Sequence, residues 1–210
     1  MPKQPFHRLL AALILLPSIA AAQSTGSPHP ISPELLIAQI EQGRAAKDSF
    51  LVHDAESPLR EDQKSAFEGL DYYPVDQSAR IVADLHRYGR PRKIPVPTNL
   101  ESVIQMERFG RVVGTYAGNP FSLEVFRSAE DGSRLVLFRD ATNSSETYPA
   151  GRYVRLADAG DGSYLIDFNT AYNPYCAYNS DYVCPMPPPE NILSFPVRAG
   201  EKDGGANLAH

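Results

Sequence analysis

A chain of 210 residues is long enough for one domain with a sizeable core, and with two cysteines it is no disulfide-dense miniature scaffold. Its formal net charge of −5 opposes nonspecific binding to nucleic acid or to anionic lipid. The first 22 residues hold two basic and no acidic side chains, so without them the balance is 18 Lys and Arg against 25 Asp and Glu, a net −7.

At the start, Lys3 and Arg8 precede an apolar run from Leu9 to Leu16, followed by Pro17 and the small residues Ala20, Ala21 and Ala22. This is the order of a secretory signal peptide (residues 1–22), with cleavage expected after Ala22. A membrane anchor needs about 18 or more apolar residues, whereas Leu9 to Ala22 supplies 14, broken by proline. The expectation is a secreted or periplasmic protein with no membrane span after processing. No cysteine stands at the cleavage point to take a lipid.

Residues 23–32 are polar and proline-rich and read as a flexible leader; residues 33–201 read as a single β-rich domain, and 202–210 as a disordered tail. Ser32 is a good N-cap, Pro33 suits the first helical position, and Leu36, Ile37 and Ile40 share a face, predicting a short amphipathic helix that runs on toward Phe50 with Arg44, Lys47 and Asp48 in water. A second helix is predicted from Pro58 to Leu70, capped by Ser57 and ended by Gly69. From Ile81 onward the apolar period falls to 2. Strands are expected at 80–86, 102–107, 121–127, 134–138, 152–156 and 164–168, with a last one at 192–198. Asp131-Gly132 and Asp161-Gly162 mark two tight hairpins. Arg87, Arg90, Arg92 and Lys93, set among two prolines and a glycine, read as a solvated loop in preference to a phosphate-binding patch. The fold class implied is mainly β: an antiparallel β-sandwich or partly open barrel with two short N-terminal helices.

The unusual chemistry is concentrated between Asp140 and Glu201. The run includes Glu146-Thr147-Tyr148, Gly151-Arg152-Tyr153, Asp167-Phe168-Asn169, Ala171-Tyr172-Asn173-Pro174-Tyr175-Cys176-Ala177-Tyr178, Cys184-Pro185-Met186-Pro187-Pro188-Pro189-Glu190-Asn191 and Ala199-Gly200-Glu201. Here the chain resembles a bacterial family of unknown function, DUF1684, with weaker likeness upstream through Ser57-Pro58-Leu59, Phe67-Glu68-Gly69-Leu70 and Tyr72-Tyr73-Pro74-Val75-Asp76; the resemblance extends over residues 44–202. It departs from the family pattern where Ser144-Ser145 stands in place of a glycine, and Pro149 in place of another. The resemblance implies a shared fold and site and carries no activity with it.

Arg152 presents a planar fork of donors suited to carboxylate or phosphate. Asp167, on the neighbouring arm of the late hairpin, could pair with it or use it to hold an anion; a structural salt bridge is the plainer alternative. Asn169, Tyr172, Asn173 and Glu190 complete a candidate polar, ligand-binding pocket. Cys176 and Cys184, in a chain bound for an oxidising compartment, predict a disulfide. Zinc is disfavoured by their Cys-x7-Cys spacing and by the remoteness of the histidines, so no metal and no cofactor are expected. Seven of the 11 tyrosines fall between Tyr148 and Tyr182, suited equally to a sugar platform and to ordinary strands.

Three functions stay open: noncatalytic binding of a small polar or anionic ligand, hydrolysis of an envelope or extracellular polymer by Asp167 or Glu190 with Arg152 stabilising charge, and a scaffold whose polar motifs hold loops. An enclosed concavity touching Arg152 and Asp167 favours the first two, and a fully paired cluster the last.

Overall fold

The computed structural model describes residues 31–129, 131–160 and 162–204. The expected signal peptide, most of the expected leader, Glu130, Asp161 of the second predicted hairpin and the end of the expected tail lie outside the described residues.

Helix α1 spans Pro33–His53, and the Ser32 hydroxyl accepts from the Leu35 N–H at 3.3 Å, as a cap should. Its 21 residues make it longer than expected, and two of the charged side chains expected in water are largely covered. The Arg44 side chain is only 10% exposed and that of Lys47 only 23%. Helix α2 is confined to Glu61–Ala66. Ser57 does not cap it, since its hydroxyl donates to the Leu51 carbonyl and accepts from the Leu59 N–H. The Gln63 side chain closes the first turn instead, accepting from the Arg60 N–H at 2.9 Å.

Six strands follow: β1 (Arg80–Pro97), β2 (Val103–Tyr116), β3 (Asn119–Arg127), β4 (Arg134–Phe138), β5 (Arg152–Gly160) and β6 (Ser163–Asp167). Each pairs antiparallel with the next, and β1 pairs with β6 from Arg80↔Asp167 to Asp84↔Ser163, so the sheet closes into a barrel. The class is mainly β as expected, but neither a sandwich nor an open barrel forms. The reason is the length of β1: over 18 residues its first part pairs with β6 while β2 is matched from Asp84 to Pro97. Closure removes both sheet edges.

The basic group expected in a loop lies on β1, at a bulge between Arg87 and Arg92. A hairpin missed in the sequence joins β2 to β3 through Ala117 and Gly118, both at positive φ (47° and 80°). The expected strand at 192–198 is absent. Ile192 makes an isolated bridge to Arg139, and the Val197 and Ala199 carbonyls beyond it accept from Arg152 rather than from a neighbouring strand.

Strand β4 shows how the core is layered. Leu135, Val136, Leu137 and Phe138 are all buried, so both faces of the sheet are covered. Val136 and Phe138 join Phe109, Leu123, Val154 and Ile166 inside the barrel. Leu135 and Leu137 point outward to a second cluster with Val96, Met106, Phe126 and Tyr153.

Candidate functional site

The residues singled out in the sequence assemble mainly into a polar latch that fastens the C-terminal segment to the barrel. Arg152, fully buried at the start of β5, pairs with Asp140 at 2.9 Å and donates to the carbonyls of Val197 (2.8 Å), Ala199 (2.6 Å) and Glu201 (3.1 Å). Asp140 is saturated in turn by the backbone N–H and hydroxyl of Thr142 and by the Val197 N–H. Asp167 belongs to a separate network: Arg80 lies 3.5 Å away, and its carboxylate accepts from the backbone and side-chain amides of Asn169. The expected pairing of Arg152 with Asp167 is therefore not made. Arg152 points at the chain that crosses the barrel end, while Asp167 faces Arg80 across the β1–β6 seam.

A second node centres on Glu201, which is fully buried. Its carboxylate accepts from Lys47 Nζ (2.6 Å), the Tyr178 hydroxyl (2.5 Å), the Asn173 N–H (3.1 Å) and Asn173 Nδ2 (2.9 Å). Burial first, then the nearby Glu201 charge, pushes the Tyr178 hydroxyl well above its ordinary value, so it stays a donor. Gly200 stands between the two nodes at φ 80°, where an added Cβ would lie 2.6 Å from the Phe168 carbonyl and 2.7 Å from that of Ala171. Only glycine meets both demands. Ser144, in the Ser144-Ser145 pair, has φ 70°, a conformation that glycine adopts without strain.

The predicted disulfide is not formed. Cys176 and Cys184 are buried free thiols, with the Cys176 N–H donating to Cys184 Sγ at 3.2 Å. Their loop is pinned by other means. Asn99 accepts from the Cys184 N–H (2.7 Å) through its side chain and donates to the Cys184 carbonyl (3.1 Å) from its backbone, and the Tyr153 hydroxyl donates to the Pro185 carbonyl at 2.5 Å.

A cleft of about 1110 Å³ opens between α1 and the outer face of the barrel. Ile104, Met106 and Leu135 form part of its floor, Ile40 and Phe50 of α1 its roof, and the loop around Tyr172 and Tyr175 one wall. Of the six candidate ligand residues, Asn169 and Tyr172 reach this cleft; Arg152, Asp167, Asn173 and Glu190 do not, and Glu190 is exposed elsewhere. The sequence reading missed the polar groups at the helix side. Arg44 donates to Glu41 (2.9 Å) and to the Tyr73 carbonyl (3.0 Å), and its guanidinium sits 4.4 Å over the Tyr72 ring. Both Arg44 Nε and the Tyr72 hydroxyl are buried without a hydrogen-bond partner. Burial, followed by the charges of Glu201 and Asp48, raises the Tyr72 hydroxyl far above its ordinary value, which keeps it protonated. Tyr72 stands in a block shared with the family, but no local pattern joined it to Arg44, because a helix face and a residue 28 positions later converge only on folding.

Residues 65–202 match the family described as Protein of unknown function (DUF1684), and the chain belongs to it. The fold is similar to the solution NMR structure of an uncharacterized protein from Haloarcula marismortui, at 31% identity and a TM-score of 0.64, covering 84% of this chain and 97% of that one. No curated protein matches the chain.

Proposed function

We propose that this member of the family is an exported binding domain, spanning residues 33–201 after removal of the signal peptide, that holds a small amphipathic anion in the cleft between α1 and the barrel without turning it over. The single observation carrying this reading is the pair of orphaned donors, Arg44 Nε and the Tyr72 hydroxyl, in side chains that line an otherwise largely apolar cavity. A buried donor left unsatisfied costs about 1–3 kcal/mol, and an acidic head group placed there would remove that cost while an apolar body fills the floor at Met106 and Leu135. The cavity slightly exceeds the range of about 300–1000 Å³ usual for small-molecule sites.

Polymer hydrolysis has less in its favour. Glu107 is the one carboxylate among the described lining residues, and it is paired with Arg127 at 3.1 Å. Hydrolysis by a carboxylate pair needs two such groups facing one substrate. Native mass spectrometry of the mature protein tests the binding reading. A retained small molecule, lost in Arg44→Met and in the cavity-filling Met106→Trp, is the expected result. Adduct-free protein that medium-chain carboxylates fail to stabilise against heat sinks it.

A further inference from the structure

The strand bulge in β1 presents a second concavity with different chemistry. Between the paired positions Arg87↔Gly110 and Arg92↔Arg108, β1 has four residues where β2 has one, Phe109. Pro91 lies in this excess, where its missing N–H costs no ladder bond. The surplus chain arches outward over a hollow of about 550 Å³ lined by Tyr88, Gly89, Arg90, Arg92 and Arg108. Three guanidiniums and no carboxylate line it.

Two features make this more than a solvated run of charge. Arg92 and Arg108 are directly opposite one another across the ladder, an arrangement that like charges destabilise unless something negative lies between them. The acid beneath, Glu124, is already fully engaged: it accepts from the Tyr88 hydroxyl (2.6 Å), from Arg108 (2.8 Å) and from Arg111 (2.9 Å). One carboxylate thus serves two arginines and leaves Arg90 and Arg92 uncompensated by it. The same contacts hold the site's geometry, since Arg108 donates to the Tyr88 hydroxyl (3.0 Å) and lies 5.0 Å over its ring. Forked donors on a firm base are what a tetrahedral oxyanion requires.

We propose that the β1 bulge is a binding site for a phosphate group, with Arg90 and Arg92 as its free forks and Arg108 as the positioned one. Free inorganic phosphate and the head group of an anionic lipid carry the same chemistry, and two arms separate them. In one, the mature protein is titrated calorimetrically with inorganic phosphate and pyrophosphate at ionic strength matched with chloride. In the other, it is floated with vesicles containing phosphatidylglycerol. Saturable binding in either arm is expected, weakened about tenfold in Arg90→Gln and in Arg92→Gln, the loss of one charge-assisted contact. Both side chains are exposed, so both variants keep the fold. Absence of saturable binding in both arms overturns the proposal, as do variants that bind like the parent. Met106→Trp, which fills the other cleft, leaves this binding unchanged, so the failure of one site does not carry over to the other.

Discussion

Arginine does two opposite jobs in this molecule, at the barrel end and at the β1 bulge. Arg152 is enclosed, and four of its hydrogen bonds go to one carboxylate and three main-chain carbonyls. At the bulge, Arg90 and Arg92 are exposed, and the buried acid nearby is used by Arg108 and Arg111. The comparison teaches that an arginine in a distinctive sequence motif is no sign of a binding site until its donors are accounted for. A fork whose terminal N–H groups are all committed to the fold, as in Arg152 with only its Nε left over, fastens the chain, while one whose terminal donors are uncommitted is available to a ligand.

The largest effect should come from breaking the enclosed Arg152 cluster. Arg152→Met leaves Asp140 buried without its cation and three carbonyls without donors, and a loss of about 3–5 kcal/mol is expected in urea unfolding. A change below 1 kcal/mol would mean that the latch is not what holds the C-terminal segment. Next, Gly200→Ala forces a Cβ against two main-chain oxygens at positive φ and should cost about 2–3 kcal/mol by the same measurement.

A smaller effect separates the buried acid of the bulge from its cations. Burial raises the Glu124 carboxyl, but the hydrogen bonds from Tyr88, Arg108 and Arg111 together outweigh it and hold the group below its ordinary value of 4.5. A depressed carboxyl adds stability above the unfolded-state value and loses it as pH falls through the folded one. Unfolding free energy should therefore drop below pH 4.5, and Glu124→Gln should flatten part of that limb. Because Arg108 and Arg111 are 31% and 44% exposed, water screens the pairs and the difference should stay under about 1 kcal/mol. Smallest of all, Arg90→Gln should move the melting free energy by less than about 0.5 kcal/mol, since its side chain holds nothing in the fold. A large destabilisation there would place Arg90 among the structural arginines and erase the contrast.

Much of the fold was legible because short-range physics specifies it. The Ser32 cap, the exact limits of β4 and the Asp131-Gly132 turn each depend on neighbours in sequence. The strand predicted at 192–198 failed for the opposite reason: its alternating pattern was real, but after the Ile192 bridge the Val197 N–H goes to Asp140 and its carbonyl to Arg152, side chains 45 or more positions earlier. The candidate site was only half visible. Tyr172 and Asn169 were found by their motif, whereas Arg44 was expected in water and Tyr72, though inside a block shared with the family, was not singled out as a ligand group.

By itself, the sequence determined the mainly β class, the antiparallel hairpins and the family, because turn chemistry and side-chain period act over a few residues. Tertiary structure alone decided that β1 would meet β6 and close the barrel, that Arg152 would be consumed by backbone, and that α1 would roof a cleft. Those outcomes depend on which donors and acceptors meet across distant stretches of chain, and no window of sequence contains both partners.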